Sequence, residues 1–264
     1  MNERPDQSPI TSPRSERVRK VAALAGRSAR RKQGRFRIEG PQSLRSLLRH
    51  RPGLAREVFL TERAAGDHPE LADLARGAGV PLRTVDEQIL RALVRETAAT
   101  GTARRALPSE DAVTVVVLHE VRDPGNVGTL IRTADAAGAD LVLLTRTSAD
   151  PYSPKAVRAA AGSLFHLPVL TGAAIEDVLA QLADSALTAA ATSGYADAEL
   201  FTVELPARIA WILGNEARGL DEATLAAAPL TVRVPLAGHA ESLNVHSAAT
   251  VCLFETLRRR QAGA

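Results

Sequence analysis

The chain has 264 residues, of which 45% are hydrophobic, and it carries a net charge of +3 and one cysteine. Such a chain is long enough for one large or two modest domains, and no apolar run approaches the roughly 20 residues that a membrane helix needs. The single Cys252 excludes an internal disulfide, and the polar residues 1–17 lack the apolar core of a secretory signal, so we expect a cytoplasmic protein.

The N-terminal third of the chain predicts a tail followed by a small domain. Residues 1–16 are rich in Ser, Pro and charge, which predicts a disordered tail. Residues 17–97 alternate between short apolar runs and helical patterns, which predicts an α/β domain. The predicted helices are 17–31, 41–50, 69–77 and one capped by Asp86, and the predicted strands are 36–40, 58–61 and 80–85. Residues 98–111 have no clear period and contain Gly and Pro, so we predict a linker there.

Positive charge is concentrated in this part of the chain. Residues 1–63 carry a balance of +10, which leaves −7 for the remainder. The densest cluster consists of Arg27, Arg30, Arg31, Lys32, Arg35 and Arg37. A cluster of this kind is typical of a surface that binds the phosphates of a nucleic acid. A solvated charged face has the same composition, and the excess of 30 Arg over 3 Lys also fits coding bias.

Residues 112–264 predict a second and larger α/β domain. The run Val113–Leu118 is almost continuously apolar, as expected of a strand buried on both faces. Further strands are predicted at 141–145, 187–192, 209–213 and 231–235, and helices at 127–137, 154–161, 173–183 and 222–227. This alternation predicts a mainly parallel sheet with helices on both faces. Ligands of such sheets bind at the carboxyl ends of the strands.

Three polar stretches fall at those strand ends, and the first follows strand 113–118. We predict Asn126 as the N-cap of the next helix. Arg132 lies on the second turn of that helix, where a cation gains nothing from the helix dipole. We therefore interpret Arg132 as facing a phosphate or a reacting oxygen, against the alternative of a salt bridge to Asp135 or Glu216.

The second stretch follows strand 209–213 and contains Gly214, Glu216 and Gly219. Glycines in this position let the backbone approach a ligand closely. We expect Glu216 to orient Arg132 or to accept a hydrogen bond from a ligand amine. The stretch lacks the Gly-x-Gly-x-x-Gly of a dinucleotide site and the Gly-Lys-Ser/Thr of a P-loop, which argues against NAD and ATP as ligands.

The third stretch follows strand 231–235 and opens a long helix that ends near Arg260. Ser242 and Asn244 are good capping residues, so they either cap this helix or hold a polar ligand. His246 is a general base by type, or else an outward-facing helix residue. The six histidines are scattered, and no Cys-x-x-Cys or His-Glu-x-x-His spacing occurs, so we predict no metal site.

Taken together, the three stretches resemble the SpoU (TrmH-type) branch of the SPOUT RNA methyltransferases. The shared motifs are Asn126-x-Gly128-x-x-x-Arg132, Leu213-Gly214-Asn215-Glu216-x-x-Gly219-Leu220, and Pro235 through Ser242-Leu243-Asn244-Val245. This resemblance covers residues 112–260. A looser similarity, Phe36-x-Ile-Glu-Gly40-Pro41, points to the N-terminal substrate-binding domain of the family, which is of ribosomal-protein L30e type.

The resemblance implies a methyl transfer from S-adenosylmethionine to a ribose 2′-hydroxyl of RNA, by a homodimer with its site near the subunit interface. It also implies a deep trefoil knot in the C-terminal domain, an exception to the rule that chains avoid knots. Arg132 would be the catalytic residue, and the residues implied to support it are Asn126, Glu216, Ser242 and Asn244. The residues implied to line the cofactor are Thr192, Ser193, Gly194, Gly214, Val234, Pro235 and Leu243.

This chemistry agrees with the residue types. A cation beside a ribose hydroxyl stabilises the developing alkoxide and can bind the adjacent phosphate. Arg132 is not suited to accept the proton, so the base is a substrate phosphate, a water molecule or another residue. The separate N-terminal domain favours 23S rRNA as substrate. The alternatives are a tRNA methyltransferase, an enzyme that modifies an antibiotic site on rRNA, and a non-catalytic RNA-binding protein on the same fold.

Overall fold

The computed structural model describes residues 10, 12–93 and 111–262. The chain divides into two compact units, and the first combines the N-terminal part of the chain with residues 152–166. The second unit contains the remainder. Most of the predicted tail and nearly all of the predicted linker lie outside the described residues, so the domain boundaries stay a prediction.

The described chain contains α-helices and short strands. The helices are α1 Glu16–Ala22, α2 Arg27–Gln33, α3 Pro41–His50, α4 Glu62–Asp67, α5 Pro69–Gly77, α6 Glu87–Leu93, α7 Pro124–Ala136, α8 Pro154–Ala160, α9 Ile175–Asp184, α10 Glu222–Ala227 and α11 Val245–Ala262. The strands are β1 Val58–Leu60, β2 Leu82–Thr84, β3 Val113–Leu118, β4 Leu141–Thr145, β5 Val169–Ala173, β6 Thr188–Thr192, β7 Ala198–Glu199, β8 Arg208–Leu213 and β9 Leu230–Arg233. None of the described helices is long and apolar enough to cross a membrane.

The first unit has a two-stranded parallel sheet of β1 and β2, covered by helices. Two predictions were wrong here. The predicted helix 17–31 is broken at Gly26, whose backbone is extended. The predicted strand 36–40 has no regular structure, because side chains rather than a strand ladder anchor it. The ring of Phe36 lies 4.9 Å from the ring of Tyr152, and the guanidinium of Arg37 donates to the carbonyl oxygen of Leu93.

The second unit is built on a seven-stranded, wholly parallel sheet in the order β5-β4-β3-β8-β6-β9-β7. The predicted α/β fold class is confirmed, and its strands match the predictions to within two residues at each end. The predictions missed β5, which is only half-buried and contains Gly172, and the two-residue β7. The trefoil knot stays a prediction.

The strand order determines where a ligand site can form. From β3 the chain first builds outwards to β4 and β5, and it then crosses to the opposite side of β3, where β6 is laid down first and β8 later fills the place between β6 and β3. The crevice of a parallel sheet opens where the order reverses in this way. Leu118 pairs with Leu213 at this point, and both are fully buried. The loops that follow these two residues are the first and second polar stretches.

Candidate functional site

The carboxylate of Glu216 joins the first two polar stretches. Its Oε1 accepts hydrogen bonds from the side-chain amide of Asn126 at 3.1 Å and from the backbone N–H of Asp123 at 3.1 Å. Its Oε2 accepts from the backbone N–H of Arg122 at 3.2 Å. The prediction that these stretches converge is therefore confirmed, with Glu216 and Asn126 in direct contact.

Asp123, not Asn126, is the N-cap of α7, so the capping prediction was wrong. The Asp123 Oδ1 accepts from the backbone N–H of Asn126 at 3.0 Å, and Pro124 occupies the first helical position, where its missing N–H costs nothing. Because Asp123 caps the helix, the amide of Asn126 is left to bind Glu216.

Opposing effects act on the pKa of Glu216. Burial raises the pKa. The hydrogen bonds from Asn126 and from the backbone of Asp123 and Arg122 together lower the pKa by more than burial raises it, so the net pKa lies below its ordinary value. Donors that bind the charged form of a carboxyl favour ionisation. Glu216 is therefore an anion fixed in one orientation.

The turn of the second stretch requires glycine for its own packing. Asn215 and Gly219 form an antiparallel bridge, and Gly219 adopts a left-handed backbone with φ 69°. A Cβ on Gly214 would lie 2.4 Å from the backbone carbon of Gly219 and 2.6 Å from the nitrogen of Leu220. The place of a side chain at Gly214 is therefore filled by its own turn, and the expectation that this glycine lets the backbone approach a ligand stays a prediction.

Arg132 is exposed on α7. It lies six residues after Asn126, which places the two side chains about 120° apart around an ideal helix. Within the described residues it makes no hydrogen bond or ion pair, so neither alternative salt bridge forms. The structure thus brings Asn126 to Glu216 but leaves Arg132 open to the surroundings.

The predicted cofactor residues follow three neighbouring strands. Thr192 ends β6 and Ser193 and Gly194 follow it, Gly214 follows β8, and Val234 and Pro235 follow β9. In the sheet, β6 lies between β8 and β9. The ends are tied together, because the Thr192 hydroxyl donates to the carbonyl of Ile212 at 3.1 Å and the Ser193 N–H donates to the carbonyl of Val232 at 3.0 Å. A Cβ on Gly194 would meet no atom within 4 Å.

The third stretch leads into α11. The Asn244 side chain accepts from the backbone N–H of His246 at 2.9 Å, so the capping interpretation of Asn244 is confirmed. Ser242 and Leu243 are exposed. The His246 ring nitrogen Nε2 forms a hydrogen bond of 2.8 Å with the hydroxyl of Thr133 on α7. This histidine therefore faces α7 rather than pointing outward from the helix. The third stretch is thus attached to the first through α11 and α7.

The six basic residues predicted to bind nucleic acid divide into two groups. Arg30 is only 3% exposed and donates to the carbonyl oxygens of Leu24 and Ala25. Arg37 is 9% exposed and pairs with Glu39. For these two the prediction needs correction, since a buried and hydrogen-bonded guanidinium cannot reach a phosphate. The exposed members of the cluster are Arg27, Arg31, Lys32 and Arg35.

Sequence reasoning also missed charged residues beside the first two stretches. Glu120, Arg122 and Arg218 form a linked group at the same sheet edge. Their positions beside or within the first two polar stretches were the only feature of the sequence that could have pointed to them. In the part of the chain that the structure describes, no group of His, Cys, Asp and Glu side chains could hold a metal ion. The absence of a metal from the reaction stays a prediction.

The chain matches two families of known proteins. The chain matches the SpoU rRNA Methylase family over residues 113–254, which include all three polar stretches. Residues 37–100 match the family described as RNA 2′-O ribose methyltransferase substrate binding.

Individual relatives match over nearly their whole length. The chain is 32% identical over 249 residues to the 23S rRNA (guanosine(2553)-2′-O)-methyltransferase RlmP of Bacillus subtilis, covering 93% of this chain and 97% of that protein. It is 30% identical to the 23S rRNA (guanosine-2′-O-)-methyltransferase RlmB of Pseudomonas putida, covering 85% and 97%. The solved SpoU methyltransferase AviRb from Streptomyces viridochromogenes, in complex with AdoMet, has a TM-score of 0.82 and 28% identity over 94% of this chain and 100% of that one.

We expect Gly214→Ala to lower the free energy of unfolding by about 1–3 kcal/mol or more, because the new methyl group overlaps the backbone of Gly219. Gly238→Ala is the matched control, since a Cβ there would meet no atom within 4 Å. Urea denaturation followed by circular dichroism measures both. Equal stability of the two variants would contradict the packing account of Gly214.

We expect Glu216→Gln to destabilise the protein at pH 7 by about 1–3 kcal/mol, because an amide nitrogen then faces an N–H donor. The pKa of the folded carboxyl is lowered, so its contribution is complete above the ordinary pKa of 4.5 and is lost as the pH falls through the folded pKa. The difference from the wild type should therefore be constant from pH 8 to pH 6 and shrink below pH 4.5. Urea denaturation across this range tests it, with the exposed Glu241→Gln as control. A difference that grows on acidification would refute this account.

Proposed function

The chain belongs to the SpoU rRNA methylase family, and on that basis we propose that it transfers a methyl group from S-adenosylmethionine to a ribose 2′-hydroxyl of 23S rRNA. The observation that carries the proposal is the contact of Glu216 with Asn126 where the strand order of the sheet reverses. It brings two of the three family motifs together at the edge where parallel sheets bind ligands.

The cofactor is proposed to bind across the ends of β8, β6 and β9. The residues proposed for the cofactor at the ends of these strands offer main-chain groups and uncharged side chains, which suit the neutral adenosine part of the cofactor. Open space beside Gly194 fits this assignment. The residues proposed to hold it are Thr192, Ser193, Gly194, Gly214, Val234, Pro235 and Leu243. When bound, S-adenosylmethionine supplies a methyl group already activated on a sulfonium.

Arg132 is the proposed catalytic residue. A ribose hydroxyl becomes nucleophilic as its proton leaves, and a guanidinium beside it stabilises the negative charge that develops on the oxygen. The guanidinium stays protonated throughout, so the proton passes to another group, such as a substrate phosphate, water or a different side chain. Asn126 and Glu216 position the first two stretches around the substrate, and Ser242 and Asn244 complete the site from the third.

A homodimer is part of the proposal, with the site near the subunit interface. Arg132 is exposed and about 120° around α7 from Asn126, which fits a guanidinium that acts across an interface. The third stretch is exposed as well, and it contains the apolar side chains of Leu236 and Leu243. We place the protein in the cytoplasm, where it meets rRNA.

The first unit is proposed to bind the RNA. Its match to a substrate-binding family covers residues 37–100, and the exposed Arg27, Arg31, Lys32 and Arg35 supply positive charge beside that segment. Charges of this kind position a phosphate backbone without reading its sequence. The target nucleotide is selected by single-stranded or loop features of the RNA.

Ribose-methylation mapping tests the substrate. Total RNA from cells with and without this chain is compared at every nucleotide, and we expect one 2′-O-methyl group in 23S rRNA to be lost with the chain. Complementation with the wild-type chain should restore the modification. A loss of 2′-O-methyl groups confined to tRNA would show that tRNA, not 23S rRNA, is the substrate. Unchanged methylation everywhere would support a non-catalytic RNA-binding protein.

We expect Arg132→Ala to reduce methyl transfer about 10²-fold or more, because the developing alkoxide loses its cation. Binding of RNA and of S-adenosylmethionine should change little. A radiolabelled methyl-transfer assay measures the rate, and calorimetry with the cofactor checks the site. Arg132→Lys is the matched variant that keeps the charge but loses the planar fork of donors. Near-wild-type activity of the alanine variant would contradict the assignment of Arg132 as the catalytic residue.

A further inference from the structure

Two exposed arginines share one carboxylate at the edge of the sheet where β3 and β8 end. The Glu120 Oε1 accepts a hydrogen bond from Nη2 of Arg122 at 3.1 Å, and its Oε2 accepts from Nη2 of Arg218 at 2.7 Å. Arg122 lies in the turn that enters α7, and Arg218 lies in the turn that begins at Gly214. Both motif loops therefore contribute a guanidinium to the same point.

Glu120 is held in place by its backbone. It has a left-handed conformation with φ 56°, which is unfavourable for a residue with a side chain. The side-chain amide of Asn215 donates to the Glu120 carbonyl oxygen at 3.0 Å. The nearby carboxylate of Glu216 is occupied by Asn126 and two backbone N–H groups, and it does not compete for the arginines.

The two guanidiniums keep most of their hydrogen-bonding capacity. Each presents five N–H donors, and within the described residues each uses only its Nη2. The side chains of Arg122 and Arg218 are 60% and 71% exposed. Ion pairs exposed to this degree contribute about 0–1 kcal/mol to stability, so fold stability does not account for their convergence.

We propose that Arg122 and Arg218 form a clamp for a backbone phosphate of the RNA next to the target ribose, and that Glu120 positions the pair before RNA binds. This inference rests on the proposed function. Arg122, Arg218 and Glu120 carry one net positive charge among the three, Asp221 also interacts with Arg218, and the planar forks of the guanidiniums match the oxygens of a phosphate. The pair lies at the ends of β3 and β8, whereas most residues proposed for the cofactor follow β6 and β9, so the ligand is RNA rather than the cofactor carboxylate.

RNA binding by the full chain as a function of salt tests the clamp. The probe is a 23S rRNA transcript, the cofactor is omitted, and the variant is Arg122→Gln with Arg218→Gln. We expect affinity to fall at least tenfold at low salt. The slope of log K against log salt should flatten by about 0.7 for each phosphate that the variant no longer neutralises. Calorimetry should show unchanged affinity for S-adenosylmethionine.

Two comparisons keep the test specific. Arg258→Gln is the matched control, because Arg258 is 64% exposed in the second unit and also pairs with a glutamate, Glu255. It should leave affinity and slope unchanged. Replacement of both Arg122 and Arg218 by lysine keeps the charges, so the salt slope should return towards that of the wild type while the affinity recovers only in part. If the glutamine variant does not fold, the double lysine variant is compared with the wild type in its place.

The outcomes distinguish the clamp from the function on which it rests. A wild type that methylates 23S rRNA, with glutamine or lysine variants that bind RNA with the same affinity and slope as the wild type, overturns the clamp alone. Weaker binding of the cofactor with unchanged binding of RNA also overturns it, and assigns the arginines to the cofactor carboxylate. A wild type that neither binds nor methylates 23S rRNA overturns both.

Discussion

The ionised carboxylate of Glu216 is the interaction on which the candidate site depends. Three N–H donors from the segment after β3 converge on it, although they lie at least 90 positions earlier in the chain. Each hydrogen bond orders part of a loop, and together they favour the charged form of the acid. Removal of the carboxylate would leave two motif loops without a common acceptor, so the same group links local stability to the geometry of the site.

The strand order explains why these loops meet at all. A parallel sheet places the carboxyl end of every strand at one edge, but only neighbours bring their loops into contact. β3 and β8 are neighbours and deliver the first and second stretches, and β8, β6 and β9 deliver the loops assigned to the cofactor. On the proposed assignment, RNA binds at the ends of β3 and β8 and S-adenosylmethionine at the ends of β8, β6 and β9, so the two sites meet at β8.

Arginine has several different roles in this chain. Arg30 and Arg37 are buried and bind main-chain carbonyls, so they belong to the core of the first unit. Arg122 and Arg218 are held on a carboxylate with most of their donors free for a ligand, and Arg132 makes no hydrogen bond or ion pair within the described chain. A count of positive charges treats these residues alike. Burial and hydrogen-bond partners separate them, because a guanidinium taken out of water is stabilised by acceptors inside the protein.

The sequence by itself determined the α/β class, most strands of the larger sheet and the three polar stretches, because buried parallel strands read as continuous apolar runs and turn residues mark their ends. It predicted that Asn126 and Glu216 share a site. Tertiary structure decided that Asp123 rather than Asn126 caps α7, that Gly214 makes room for its own turn, and that residues 36–40 form no strand. It also decided which arginines are buried and placed Glu120 between Arg122 and Arg218. These outcomes depend on contacts between distant segments, and local patterns of residue type carry no information about which partner a side chain will meet.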